Sequence, residues 1–147
     1  MARINQITLF LTIMVLSLPG QAFEPLNYAP RSEDEAAIIE VFNKKIIPGA
    51  KDLELFLSAF AEDASMDTQT FGVLRGKKRM REKLSQIWPS IEEFRIENAK
   101  INLKGQEAQV QVSETWITSG GTRKYEPIWM LKKSASEWLI VKKTISR

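Results

Sequence analysis

The sequence predicts an α+β fold, with three short helices gathered on one face of an antiparallel sheet. Two observations carry this. Apolar residues recur at helical spacing as far as Trp88, and at a spacing of two from Ile91 onward. Short turns, two of them with glycine, then separate the alternating segments, as in a run of hairpins. Helices followed by such a meander pack as two layers around one core.

Residues 1–22 read as an export signal. Arg3 supplies a positive start, and Ile7 to Leu18, "ITLFLTIMVLSL", is an unbroken run of apolar residues and threonine. Pro19 and Gly20 break the run, and Ala22 offers a small residue at the cleavage point. The run is shorter than the roughly 20 residues that span a bilayer core. A periplasmic or secreted protein with no membrane span after cleavage is expected, with retention as an interfacial anchor the alternative. Residues 23–31 carry Pro25 and Pro30 without periodicity and read as a linker or arm. Residues 32–147 are one domain's worth of chain, long enough to bury a core without staples.

The chain has no cysteine and no histidine. Disulfides, a lipid-modified cysteine and a cysteine nucleophile are excluded. The usual proton shuttle near neutral pH and the commonest metal ligand are also missing. No zinc spacing, calcium loop or phosphate-cradling glycine loop appears, so neither cofactor nor metal is expected. The net charge of +3, or +2 once Arg3 is gone, demands no polyanion, and no nucleic-acid partner is expected.

Ser32 and Glu35 form a capping box for the first helix, which buries Ala36, Ile39, Phe42 and Ile46. Pro48 and Gly49 stop it. Asp52 caps a second helix with Leu53, Phe56, Leu57 and Phe60 on one side. Extended pieces follow at 64–68 and 72–75. Gly76 then opens a third helix, with Met80, Leu84, Ile87 and Trp88 in one stripe and Pro89 at its end. Four strands complete the chain, joined by "KGQE", "SGGT" and "KSASE". In the first of them Phe94 and Ile96 occupy even positions, but Ala99, Ile101 and Leu103 odd ones. This predicts a β-bulge near 97–99, which would bend the sheet; a strand buried on both faces is the alternative.

The order and spacing of these segments resemble the nuclear transport factor 2-like superfamily, in its polyketide-cyclase-like and ketosteroid-isomerase-like branches. The segments that carry the resemblance are "KDLELFLSAFAEDASM", "LRGKKRMREKL", "INLKGQEAQVQV" and "SEWLIVKKTIS". It implies a cone-shaped sheet wrapped around three helices, a pocket at the wide end and a homodimer formed through the outer sheet face. Ketosteroid isomerases use a tyrosine, an aspartate base and a deep protonated acid. The corresponding positions hold Lys44, Thr68 (with Asp67 one residue away) and Ile128. Kinase-association-type members often carry histidines where Lys142 and Thr144 stand, while Ser146 is kept. The resemblance therefore argues against an isomerase of the familiar kind.

Glu114 is the sharpest candidate residue. It shares a strand face with Ala108, Val110, Val112 and Trp116. A lone ionised carboxylate buried there would cost several kcal/mol, so it must pair, shift its pKa upward or face a wet cavity. A pocket role competes with pairing to Arg123 or Lys124 across the hairpin, or with a strand that twists out of the core. Asp67 is a second pocket candidate, although "MDTQT" has turn composition and reads more readily as connective. Trp116, Tyr125 and Trp129 would line a pocket or fill the core. "RGKKRMREK" reads as a solvated helix face, with an anion site at Gly76 as the alternative. The favoured expectation is a non-catalytic module that holds a small apolar or amphipathic ligand. A carboxylate acid–base enzyme and an envelope interaction module are the alternatives.

Overall fold

The computed structural model describes residues 24–146, so the signal expected at residues 1–22 lies outside the described residues. The first helix, α1, spans Glu33–Val41. Ser32 Oγ accepts the Glu35 N–H at 3.1 Å, as the capping box requires. The return half of the box differs: Glu35 Oε1 accepts the N–H of Arg31, at 3.0 Å, rather than that of Ser32. The same carboxylate takes the Arg31 guanidinium at 2.9 Å and the Tyr28 hydroxyl at 2.8 Å. These bonds, with the Leu26 N–H donated to Asn43 Oδ1 at 2.7 Å, lay the arm against α1. Leu26 is buried there.

The helix widens into a π turn over Phe42–Ile46, and a 3-10 turn follows at Pro48–Lys51. Gly49 is needed for close approach: a Cβ on it would stand 2.7 Å from the Phe56 backbone. Helix α2 is short, Leu53–Leu57, and Asp52 caps it by accepting the Leu55 N–H. Phe60, expected on this helix, instead opens strand β1, Phe60–Thr68. Strand β2 is Gly72–Arg75 and helix α3 is Lys77–Leu84. Ile87 and Trp88 fall beyond the end of α3, with Trp88 opening a 3-10 turn over Trp88–Ser90. The meander is β3, Ile91–Lys104; β4, Glu107–Thr118; β5, Gly121–Tyr125; β6, Ile128–Ser134; and β7, Glu137–Thr144.

The expected four strands are therefore five. Pro127 has no N–H to give the ladder, and the third segment splits around Glu126 and Pro127. Strand β5 pairs with the 114–118 half of β4, and β6 with its 107–111 half. The sheet order is β2-β1-β7-β6-β4-β3, with β5 beside β4. Strands β1 and β7 run parallel, so the sheet is mixed rather than wholly antiparallel as expected. The two are far apart in sequence, and no hairpin constrains their direction.

Of the register shifts in this sheet, two bear on the site. In β3 the register slips between Glu97 and Lys100, and Asn98 takes φ 57°, where the change of apolar parity predicted it. The second lies in β7. Leu131 pairs with Ile140 but Met130 with Lys142, so Val141 is an extra residue. Ile140 and Lys143 are consequently both buried although three positions apart. The core lies between the helices and the inner sheet face. Trp129, wholly buried, meets the rings of Phe42, Phe60 and Phe56 with centroids 5.3, 6.1 and 6.4 Å away.

Candidate functional site

The β7 bulge turns the Lys143 side chain into the interior, and regular alternation along β4 puts Glu114 there. Lys143 Nζ lies 2.8 Å from Glu114 Oε1, and both residues are buried, at 3% and 1% exposure. The contact is charge against charge rather than an aligned hydrogen bond, because Oε1 receives no well-directed donor. Oε2 accepts a long bond, 3.4 Å, from Trp116 Nε1. The ammonium also stands over two indoles, 4.6 Å from the Trp129 ring centre and 5.6 Å from that of Trp116. Cation–π attraction of this kind strengthens when the cation is desolvated. The pair ties β7 to β4, and each charge makes burial of the other tolerable.

Lys143 and Trp116 border a cavity of about 230 Å³. Met66, Leu84, Ile87, Trp88 and Ile91 supply much of its apolar wall. Trp88 is fixed by donating Nε1–H to the Gly49 carbonyl at 2.8 Å, and its ring meets Trp116 edge-on at 5.9 Å. Trp116 in turn stacks on Phe94 at 3.9 Å. Asp67, Thr68, Gln69, Arg123 and Tyr125 add polar groups to the lining. Gln69 Oε1 accepts from the Tyr125 hydroxyl at 2.6 Å and from Arg123 Nη1 at 2.9 Å. The β1–β2 turn is thereby fastened to β5.

Of the five residues singled out from sequence, Asp67, Trp116 and Tyr125 border this cavity. Asp67 is a strand residue of β1 opposite Val73, not the turn residue its neighbours suggested; the turn begins at Gln69. Glu114 lies behind the lining, covered by Lys143 and Trp116. It does not pair with Arg123 or Lys124. Lys124 alternates to the other face of β5, and Arg123 is drawn to Gln69. Trp129 lies in the core beneath Lys143 rather than on the cavity wall. Sequence reasoning missed Lys143. Counting by twos from Trp138 and Ile140 puts Lys142 inside, and only the extra residue Val141 reverses this. Lys142 is exposed. The basic run at α3 behaves as a solvated face, with Arg81 bonded to Glu54 at 2.6 Å and Lys77 near Glu62 at 3.7 Å.

No family model and no curated protein matches the sequence. Solved structures do match the fold. A protein of unknown function with a cystatin-like fold from Nostoc punctiforme aligns with TM-score 0.67 at 17% identity, over 80% of this chain and 93% of that one. The fold is nuclear transport factor 2-like. A protein so described from Shewanella oneidensis, of unknown function, aligns with TM-score 0.65 at 14% identity, over 78% of this chain and 99% of that one. Another, with a cystatin-like fold, from Novosphingobium aromaticivorans, aligns with TM-score 0.64 at 14% identity, over 99% of this chain and 90% of that one. At such identities the likeness concerns the nuclear transport factor 2-like backbone alone, and the site must be argued from its own side chains.

Proposed function

We propose that this is an exported binding module that holds one small molecule in the cavity bordered by Trp88 and Trp116, without catalysis. The observation that carries this reading is an apolar-walled cavity that ends on one buried, charge-balanced ammonium. Its volume suits a ligand of about one ring, given that a cavity of roughly 150 Å³ admits benzene. Tryptophan walls supply apolar contact area, and a few convergent polar groups orient a ligand, which is the usual makeup of a small-molecule site.

A carboxylate acid–base enzyme is the second reading, favoured by Asp67 and Tyr125 bordering the same cavity. Two features weigh against it. Glu114 lies behind the cavity lining, against the Lys143 ammonium, and does not border the cavity itself. The Tyr125 hydroxyl is held by Gln69 at 2.6 Å. An interaction module is less well supported, since Val73, 52% exposed, is the one exposed large hydrophobic among the described residues. Homodimerisation and export belong to the same proposal, and sedimentation of the mature protein together with fractionation of its host tests them. Native mass spectrometry of protein purified from that host tests the central reading: the expected result is a co-purified small molecule lost on Trp116→Ala. Apo protein whose thermal midpoint no one-ring compound raises would end it.

A further inference from the structure

Resting on that binding reading, we infer the ligand's class: a neutral one-ring compound whose carbonyl oxygen accepts a hydrogen bond from Lys143. Lys143 and Glu114, 2.8 Å apart and both buried, sum to zero. An anionic ligand placed on Lys143 would bring a second negative charge beside Glu114, while Asp67 and Arg123, of opposite sign, stand on the same wall. A cationic ligand would meet the ammonium itself. Either adds an uncompensated charge to a low-dielectric space, whereas a neutral ligand adds none.

A lysine ammonium has three N–H groups and no acceptor, and Glu114 Oε1 stands 2.8 Å away on one side of it. The two indoles offer π faces, not lone pairs. The polar atom of a ligand seated here must therefore accept. A neutral carbonyl does so and gains a charge-assisted bond without breaking the ion pair. Trp88 and Trp116 meet edge-on at 5.9 Å, beside Ile87 and Leu84, and a ring can lie against those surfaces.

The test uses the mature protein and three one-ring probes of similar size, acetophenone, ethylbenzene and benzoate, titrated by quenching of tryptophan fluorescence and by calorimetry. Acetophenone is expected to bind about tenfold more tightly than ethylbenzene, the usual worth of a hydrogen bond to a charged group. Benzoate is expected to bind more weakly than either. In Lys143→Met the advantage of acetophenone should vanish while ethylbenzene binding persists. Should that variant fold poorly, the double variant Lys143→Met with Glu114→Leu removes both charges and is read in the same way. Equal binding of acetophenone and ethylbenzene overturns the inference and leaves the binding reading standing. Benzoate as the tightest probe overturns it in favour of an anion site. If none of the three binds and no other one-ring compound does, the binding reading itself fails.

Discussion

Lys143 is the residue on which the interior chemistry turns, because its burial is tolerable only beside Glu114. Replacing it alone with Met strands a carboxylate, and breaking a buried pair in that way costs about 3–5 kcal/mol. Replacing both, Lys143→Met with Glu114→Leu, is expected to come close to neutral, since a well-packed apolar pair often equals a buried ionic one. Urea denaturation of the single and double variants measures the difference, and equal losses would refute the pairing argument. Glu35 gives a pH prediction. Hydrogen bonds from Arg31, chiefly, hold its pKa at about 2, against an ordinary 4.5. Because the folded value is depressed, the stabilisation is complete above 4.5 and disappears as the pH falls towards 2. Asp34 shifts in the same direction, through bonds from Lys133 and then Trp138. Glu35→Gln should therefore lose less stability than the parent across this acid range; identical acid-denaturation curves would contradict the assignment.

At the scale of elements, two bulges and one close approach decide the shape. Asn98 holds φ 57° in the β3 bulge, a conformation that asparagine and glycine adopt at little cost and β-branched residues do not. Asn98→Gly is expected to be neutral, and Asn98→Val to destabilise by about 1–3 kcal/mol. Chemical denaturation distinguishes them, and an Asn98→Val protein as stable as the parent would mean that the strand can run without its bulge. Gly49 lets α2 lie against the 3-10 turn, and the Phe56 backbone leaves no space for a Cβ. Gly49→Ala should cost about 1–3 kcal/mol by overpacking, visible as a lowered thermal midpoint. This strain is of backbone against backbone, so a rotamer change cannot relieve it. The β7 bulge at Val141 has the opposite character: it strains nothing evident and instead changes which lysine faces inward.

Across the whole molecule, Trp129 is where the layers meet. It joins β6 to the π turn after α1 through Phe42, to α2 through Phe56 and to β1 through Phe60. Trp129→Ala is expected to cost about 3–5 kcal/mol, the usual range for deleting a large buried aromatic. It should also loosen the cavity floor, because the ring lies beneath the Lys143 ammonium. Calorimetry of unfolding tests the first expectation and probe binding the second. A variant as stable as the parent would show that the layers are held together elsewhere.

How much of this was legible in the chain depends on the range of the interaction. Caps at Ser32 and Asp52, the β2 segment and the β3 bulge were readable, because each is decided by neighbours within a few positions. The change from helical to alternating spacing likewise specified helices against a sheet. The pairing of Glu114 was not readable: its partner is 29 positions away, and an unannounced extra residue in β7 decides which lysine arrives. The parallel contact of β1 with β7 was also hidden, since no turn joins them. By itself the sequence determined the order of helices and strands, their caps and the need for Glu114 to find a partner. Tertiary structure alone decided which partner that is and that Lys143 borders a cavity. Face assignment in a strand depends on counting residues, and a bulge changes the count only where the finished sheet requires it.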